Sequence, residues 1–279
     1  MLLSGSVGYT LLEKSKKRVL ILADIHDGVS YCKRDSAMID TWLSSKTDNN
    51  DVLLEEVSRG EFKLGDLWPS SVHTGRLKKL NQTNKKIIAI DIRPFLIPFS
   101  WEILLNDSNN EIGQIPLNRY LIGLDHIFNL RGSKLMKKNI GPQLKQLREI
   151  SDKKTINILL THFEEMNRIY CEYRETNKKY LDETIRDILK KDKDILENIN
   201  EMTSMLMEWY TLLLILNSTR NSILHLGLAH SNRILEFLTE THEFKILKSS
   251  GVNTIAAIID KAENEPNACL LLPAYLNIF

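Results

Sequence analysis

Two histidines, an aspartate and two glutamates follow apolar segments of this chain, at positions where a buried strand does not need polar side chains. They stand in Asp24-Ile25-His26, in Glu55-Glu56 and at His230. Each group comes directly after a run rich in Val, Ile and Leu. Imidazole and carboxylate groups brought together can bind a divalent metal or activate a water molecule. The residue types therefore indicate a hydrolytic or metal-binding site.

The elements that must position these residues are strands. A continuous apolar run such as Val19–Ala23 or Val52–Leu54 is typical of a strand buried on both faces, as in a parallel sheet. In open α/β sheets, ligands bind outside the carboxyl ends of the strands. We therefore expect the polar residues to converge at one edge of a sheet, although they are far apart in sequence.

The first group, Asp24 and His26, has two interpretations. Residues two apart on a strand point to the same side, so the carboxylate and the imidazole could share a metal or hold a water. Alternatively, Asp24 caps the following helix and His26 is an ordinary turn residue.

The second group raises a question of orientation, because only one of Glu55 and Glu56 can face the site. A buried carboxylate needs a partner, so the other could pair with Arg59 or Arg76, or both could lie in solvent at the strand end. Arg76 itself follows His73 by three residues, so the two should share a helical face. Its guanidinium could bind a substrate carboxylate or phosphate, or form a structural ion pair.

The third group lies in Gly227-Leu228-Ala229-His230, which follows an apolar strand and precedes a predicted helix. Small residues allow a ligand to approach the backbone, and the amides of a helix N-terminus attract anions. His225 lies within the strand and is predicted to be a core histidine whose hydrogen bonds are satisfied. His230 is the better candidate for chemistry.

The pattern of elements predicts an α/β fold with a mostly parallel central sheet flanked by helices. Residues 117–217 are predicted to form a helical insertion or cap within a single domain spanning residues 1–279. The predicted strands and helices are as follows: strands at 18–25, 51–57, 86–92, 223–226 and 244–247, a short strand within 156–160, and helices at 30–45 and 231–239. The segments 255–261 and 269–272 close the chain.

The overall charge gives no reason to expect nucleic acid or anionic membrane as a partner, because 37 basic residues balance 36 acidic ones. The three cysteines form no C-x-x-C pair and no disulfide-like spacing, which favours a reducing compartment. No signal peptide is recognisable, and the most apolar helical run, Trp209–Leu216, is too short to span a bilayer. We expect a soluble cytoplasmic protein.

Taken together, the three groups resemble the superfamily that joins erythromycin esterases, ChaN-like haem-binding proteins and the TraB/Tiki proteins. In that superfamily one strand ends in Gly-Glu-x-His or Gly-x-x-His, a second ends in Glu, and a late strand ends in Gly-x-x-His. Ala23–His26, Asp51–Glu56 and Gly227–His230 are similar to these motifs in order and context. This chain departs from the pattern where Ala23-Asp24 replaces Gly-Glu.

The resemblance implies a hydrolase that acts on an ester or peptide bond of a small-molecule or peptide substrate. It implies His26 and His230 as bases or metal ligands, Glu55 or Glu56 as acid, base or ligand, and Arg76 as the group that orients an anionic intermediate. If a metal is bound, Asp24, His26, Glu56 and His230 are its expected ligands, and Mn, Co, Fe or Zn suits them. Without a metal, a histidine polarised by a carboxylate would activate water directly.

Three other readings stay open from the sequence. The change from Gly-Glu to Ala-Asp favours a binding or structural protein with a degenerate site. The ChaN-like branch implies haem, for which Tyr31 or a histidine could be the axial ligand. Asp24-Ile25-His26 also resembles the first motif of calcineurin-like metallophosphoesterases, but the Gly-Asn-His and Gly-His-x-His motifs of that family are missing here.

Overall fold

The computed structural model describes residues 1–25, 29–33, 35–55, 72–97, 111–128, 150, 152–254, 267–274 and 276. His26 and Glu56, and the segment 255–261, lie outside these residues. The described residues divide into two compact units. The described residues of the first unit lie within 1–55, 72–91 and 218–276, and those of the second lie within 92–217.

In the described part of the first unit, six strands form the larger sheet, in the order β7-β6-β8-β3-β2-β9. Their bounds are Ile87–Ala89 (β7), Asn50–Leu54 (β6), Asn221–Gly227 (β8), Lys17–Asp24 (β3), Gly8–Lys14 (β2) and Lys245–Gly251 (β9). The four strands β7, β6, β8 and β3 run parallel. The predicted α/β fold with a mostly parallel sheet is therefore confirmed.

The position of β8 explains how distant residues meet. This strand comes late in the sequence, yet it lies between β3 and β6 and is parallel to both. All six residues of β3 that pair with β8 are apolar except the last, Asp24. The carboxyl ends of three strands that carry the predicted groups therefore lie side by side.

A smaller sheet in the same unit has the order β4-β10-β1-β5 among the described residues. Its strands are Ser30–Tyr31 (β4), Asn267–Leu271 (β10), Leu2–Ser4 (β1) and Ala37–Met38 (β5). Strands β4 and β10 are parallel, with Tyr31 opposite Ala268. The next residues, Cys32 and Cys269, form a disulfide with 4.9 Å between their Cα atoms.

The helices of the first unit are Ile39–Ser44 (α1), Val72–Thr83 (α2) and Leu228–Glu236 (α9), and a π-helical turn at Phe237–Thr241 follows α9. Side chains of α1 and α2, among them Leu43 and Leu77, are fully buried in one core cluster with Leu22 and Leu54 of the sheet. Burial of such side chains contributes about 1.5–3 kcal/mol each to folding. This packing fixes α1 and α2 against the sheet.

The second unit is helical in its described residues. Its helices are Arg93–Leu96 (α3), Leu117–Tyr120 (α4), Ile122–Phe128 (α5), Lys153–Thr176 (α6), Ile185–Lys191 (α7) and Asp194–Asn217 (α8), with 3-10 turns at Glu111–Gln114 and Lys178–Tyr180. Asp152 caps α6 by accepting the amide N–H groups of Lys154 and Thr155. The indole of Trp209 on α8 donates to the carbonyl of Leu159 on α6 at 2.9 Å. The predicted helical segment in the middle of the chain is thus present.

Two predicted elements are wrong. The described residues within 30–45 form two short strands followed by α1, because Tyr31 and Ala37 pair with partners that local periodicity does not reveal. The short strand expected within 156–160 is part of α6. The early strands β1 and β2 were not predicted, and β2 forms an antiparallel hairpin with β3.

The prediction that the cysteines form no disulfide is also wrong. Cys32 and Cys269 are 237 residues apart in sequence, and the pairing of β4 with β10 brings them together. Cys171 is a free, exposed thiol. The disulfide argues against the reducing compartment that the cysteine pattern favoured. None of the helices described here has the length and hydropathy needed to cross a membrane.

Candidate functional site

The site lies at the carboxyl edge of the larger sheet, where β3, β8 and β6 end. Asp24, the last residue of β3, is paired in register with Gly227, the last residue of β8. On the other side of β8, Leu54 pairs with His225, and the amide N–H of Glu55 extends the ladder to the His225 carbonyl at 3.1 Å. Two carboxylates are therefore carried on the strands that flank β8.

The carboxylate of Glu55 is fully buried and is held by the start of α9. Its Oε2 accepts the amide N–H of Gly227, the N-cap residue of that helix, at 2.6 Å. A carboxylate at a helix N-terminus interacts favourably with the helix dipole and satisfies an amide that has no partner inside the helix. These contacts explain how an ionisable group is accommodated in the interior.

The second oxygen of Glu55 faces His230. Glu55 Oε1 lies 3.4 Å from His230 Nε2, and His230 stands in the first turn of α9. The His230 side chain is 11% exposed, whereas the Glu55 side chain has no exposed surface. The buried carboxylate thus faces the inner nitrogen of an imidazole that still reaches the surface.

A second carboxylate–histidine pair lies on the opposite side of β8. Both oxygens of Asp24 are 2.8 Å from His73 Nε2, and neither side chain has exposed surface. His73 is the second residue of α2, so its position depends on the packing of that helix against the sheet. The pair joins the end of β3 to the start of α2.

The other nitrogen of His73 extends this pair to a third residue. His73 Nδ1 lies 2.8 Å from the hydroxyl of Tyr31. An ionised Asp24 can only accept hydrogen bonds, so the proton on His73 Nε2 points to Asp24. In the neutral imidazole Nδ1 is then the acceptor, and Tyr31 is the donor. The result is a chain of hydrogen bonds in the order Tyr31, His73, Asp24.

Gly5 lies next to two buried histidines, His225 and His73. Its carbonyl accepts a hydrogen bond from His225 Nε2 at 2.9 Å, so His225 is the satisfied core histidine that the sequence predicted. Gly5 has φ +107°, and a Cβ at this position would lie 3.1 Å from the Cβ of His73. The His73 and His225 rings contact edge to face, with centroids 6.3 Å apart. Glycine is required here because of both its backbone conformation and the space.

The structure brings together only part of the predicted set. Asp24, Glu55 and His230 lie at the sheet edge as expected. The Arg76 guanidinium instead donates to Asp40 of α1 at 2.9 Å, and its side chain is 45% exposed. His73 and Arg76 therefore differ in their surroundings, with His73 buried and Arg76 on the surface.

The predicted metal ligands are described only in part. Asp24 and His230 contact His73 and Glu55, respectively. His26 and Glu56 lie outside the described residues. Among those that are described, no three His, Cys, Asp or Glu side chains are grouped as a metal would require. The metal site stays a prediction.

His73 and Tyr31 were not among the catalytic residues predicted from the sequence. The topology could have indicated His73, because the helix that follows a parallel strand starts at the carboxyl edge of the sheet, where the site lies. His73 and His230 both occupy the first turn of such a helix, after β6 and β8. Tyr31, which the resemblance offered as a haem ligand, has no comparable signal, since a two-residue strand places it.

The arrangement can move protons at two places. His230, backed by Glu55, can accept a proton from a water molecule, and His73, backed by Asp24, can accept one from Tyr31.

Comparison of the chain with family models, with curated proteins and with solved structures found no match.

Proposed function

We propose that this chain is a hydrolase in which His230 and Glu55 activate the water molecule. The observation that carries the proposal is the position of the Glu55 carboxylate, fixed by the Gly227 amide and facing His230 Nε2 at 3.4 Å. A buried carboxylate beside an imidazole selects the tautomer and stabilises the imidazolium that forms during proton transfer. A histidine that acts as a general base needs a carboxylate partner of this kind.

The chemistry follows from the tautomer. With the Nε2 proton directed to Glu55, His230 Nδ1 is the nitrogen that accepts a proton. A water next to Nδ1 would lose a proton as its oxygen attacks the carbonyl carbon of a bound ester or acyl substrate. The separation of 3.4 Å is long for a hydrogen bond, and such contacts often shorten when substrate binds.

The resemblance to the erythromycin esterase, ChaN and TraB/Tiki superfamily supports the proposal independently. The superfamily pattern places a Glu after one strand and Gly-x-x-His after a late strand. In this chain the matching residues, Glu55 and His230, are in contact.

The test is turnover of a substrate panel by wild type and His230→Gln. The panel contains p-nitrophenyl acetate and butyrate, an acyl thioester, a lactone and a peptide p-nitroanilide. Each protein is assayed after chelation and again with added Mn, Co, Fe or Zn. His126→Gln is the matched control, because His126 lies on α5 in the other unit.

We expect wild type and His126→Gln to hydrolyse at least one acyl substrate, and His230→Gln to be slower by about 100-fold to 10,000-fold. Equal rates for wild type and His230→Gln would contradict the proposal. Absence of turnover by wild type under every condition would favour the degenerate binding protein. Activity only with an added metal would support the metal-dependent form of the hydrolase.

A further inference from the structure

We propose that Tyr31 is the nucleophile of a Tyr31–His73–Asp24 triad and forms a covalent acyl intermediate. The inference rests on the proposed function for its second step, in which water removes the acyl group. It also narrows the substrate class, because a phenol nucleophile accepts acyl groups only from certain leaving groups.

The geometry of the triad is that of an activated nucleophile. The signature of such a nucleophile is a base within hydrogen-bond distance and a third group that orients the base. Tyr31 Oη lies 2.8 Å from His73 Nδ1, and His73 Nε2 lies 2.8 Å from both oxygens of Asp24. The proton of Tyr31 therefore points inward to His73, which leaves the oxygen lone pairs for a substrate.

Burial distinguishes the roles of the three residues. His73 and Asp24 have no exposed side-chain surface, so neither reaches a substrate directly. Tyr31 is partly exposed and is the outermost of the three hydrogen-bonded residues. Tyr31 is thus the residue of the three that has surface for a ligand to contact.

The backbone around Tyr31 is held on several sides. Tyr31 is opposite Ala268 in the parallel pair of β4 and β10, and the next residue, Cys32, is bonded to Cys269. The amide of Cys32 also donates to the hydroxyl of Ser4 at 3.2 Å. These contacts fix the backbone that carries Tyr31 beside His73, and catalysis requires such fixed geometry.

The reaction balances without a further reagent. In the first step, the Tyr31 Oη–carbon bond forms, the bond from the acyl carbon to the leaving group breaks with departure of a thiolate or aryloxide anion, and the Tyr31 proton moves to His73 Nδ1. In the second step, water attacks the acyl carbon and gives a proton to His230. The Tyr31–acyl bond breaks, the tyrosine oxygen takes its proton back from His73 Nδ1, the acid is released, and the proton on His230 passes to solvent.

A phenol nucleophile restricts the substrate. Acyl transfer to tyrosine, whose ordinary pKa is about 10, is favourable only when the leaving group is no more basic than a phenolate. Thiolates, with an ordinary pKa of about 8.5, meet this condition, and so do aryloxides. Alkoxides and amide anions are far more basic. We infer that the substrates are thioesters or aryl esters rather than alkyl esters or peptides.

The test is covalent labelling with two probes, a fluorophosphonate and p-nitrophenyl acetate. The protein is quenched at intervals and digested, and modified tyrosines are quantified by mass spectrometry. Tyr180 is the internal control, because it is also partly exposed but has Lys179 over its ring instead of a histidine partner. Tyr31→Phe and His73→Gln are analysed in parallel.

We expect Tyr31 to be labelled about 100-fold faster than Tyr180 in the wild type, and the advantage to be lost in His73→Gln. Tyr31→Phe should show no label in that peptide. Labelling of Tyr31 no faster than Tyr180 would overturn the proposal, and this comparison needs no folded variant.

The variant His230→Gln separates this inference from the proposed function. If both are right, acetyl-Tyr31 accumulates in His230→Gln, because its removal by water is slowed. Hydrolysis by wild type with no adduct in either protein would refute the nucleophile and leave the hydrolase intact. An adduct on Tyr31 in wild type that is never turned over would support the nucleophile and refute the hydrolase.

Discussion

The Glu55 carboxylate accepts the amide N–H of Gly227 at 2.6 Å, across the gap between β6 and the start of α9. The contact fixes one carboxylate oxygen and leaves the other facing His230 at 3.4 Å. One buried side chain therefore joins two strand ends and orients a histidine.

Removal of this acceptor should destabilise the fold. Glu55→Ala leaves the buried Gly227 amide without its acceptor and should lower the free energy of unfolding by about 1–3 kcal/mol. Glu55→Gln keeps an oxygen at the same place and should cost less. Urea denaturation of both variants measures the difference. Equal stability of Glu55→Ala and Glu55→Gln would show that the hydrogen bond from the Gly227 amide does not contribute to the stability of the fold.

The disulfide between Cys32 and Cys269 should stabilise the protein, because it constrains a very long segment of the unfolded chain. Replacement of both cysteines by serine should lower the free energy of unfolding by about 2–4 kcal/mol. Cys171→Ser is the control and should have no comparable effect, since that thiol is exposed and free.

Thiol counting tests the same bond directly. Under denaturing conditions without reductant, we expect the thiol of Cys171 to react and the other two cysteines to be protected. All three should react after reduction. Reaction of all three before reduction, in protein purified without a reducing agent, would contradict the disulfide.

Two glycines should respond to alanine in opposite directions. Gly75 lies in α2, and a Cβ there would meet nothing within 4 Å, so Gly75→Ala should stabilise the protein by about 0.5–1 kcal/mol. Gly5 has φ +107°, and its Cβ would lie 2.6 Å from Ile39 Cγ2. Gly5→Ala should destabilise by about 1–3 kcal/mol and displace His73. Denaturant unfolding of both variants checks the signs, and a neutral Gly5→Ala would contradict the packing described.

Lys17 should make stability depend on pH. Burial lowers the pKa of its ammonium to about 8, against the partial opposing effect of Asp51. Between about pH 8 and the ordinary lysine value of 10.5, the unfolded chain holds this proton and the folded chain does not. The contribution of Lys17 to stability therefore rises with pH in this window, by up to about 1.4 kcal/mol per pH unit.

Lys17→Met isolates that contribution. The variant lacks the cost of a buried charge, which is fully present in wild type below pH 8. Its stability relative to wild type should therefore be greatest below pH 8 and decline as the pH rises to 10.5. A difference that stays constant over this range would show that the Lys17 pKa is not lowered. Unfolding curves of both proteins at a series of pH values provide the measurement.

The fold class was predictable because the buried strands carry their own signal. The apolar runs before Asp24, Glu55 and His230 have the composition of parallel strands, and the sheet rule placed their ends at one edge. The short strands β4 and β5 were not predictable, because two residues have no periodicity and depend on distant partners. The disulfide was missed for the same reason.

The site was predicted only where strand ends define it. Asp24 was expected to act with its sequence neighbour His26, but its described partner is His73, 49 residues away. Arg76 was a candidate because of its residue type, and Asp40 is the partner that the fold gives it. Side-chain partners across elements depend on helix packing, which the spacing of residues in one chain does not encode.

The measurement that tests the central claim most directly is the rate of p-nitrophenyl acetate hydrolysis by wild type, Glu55→Gln and Glu13→Gln. Glu13 is a partly exposed glutamate of β2 that pairs with Arg18, so its variant controls for the loss of one carboxylate. We predict that Glu13→Gln retains the wild-type rate and that Glu55→Gln loses at least about 100-fold while remaining folded. Equal rates for all three proteins would contradict a hydrolase that depends on Glu55 and His230.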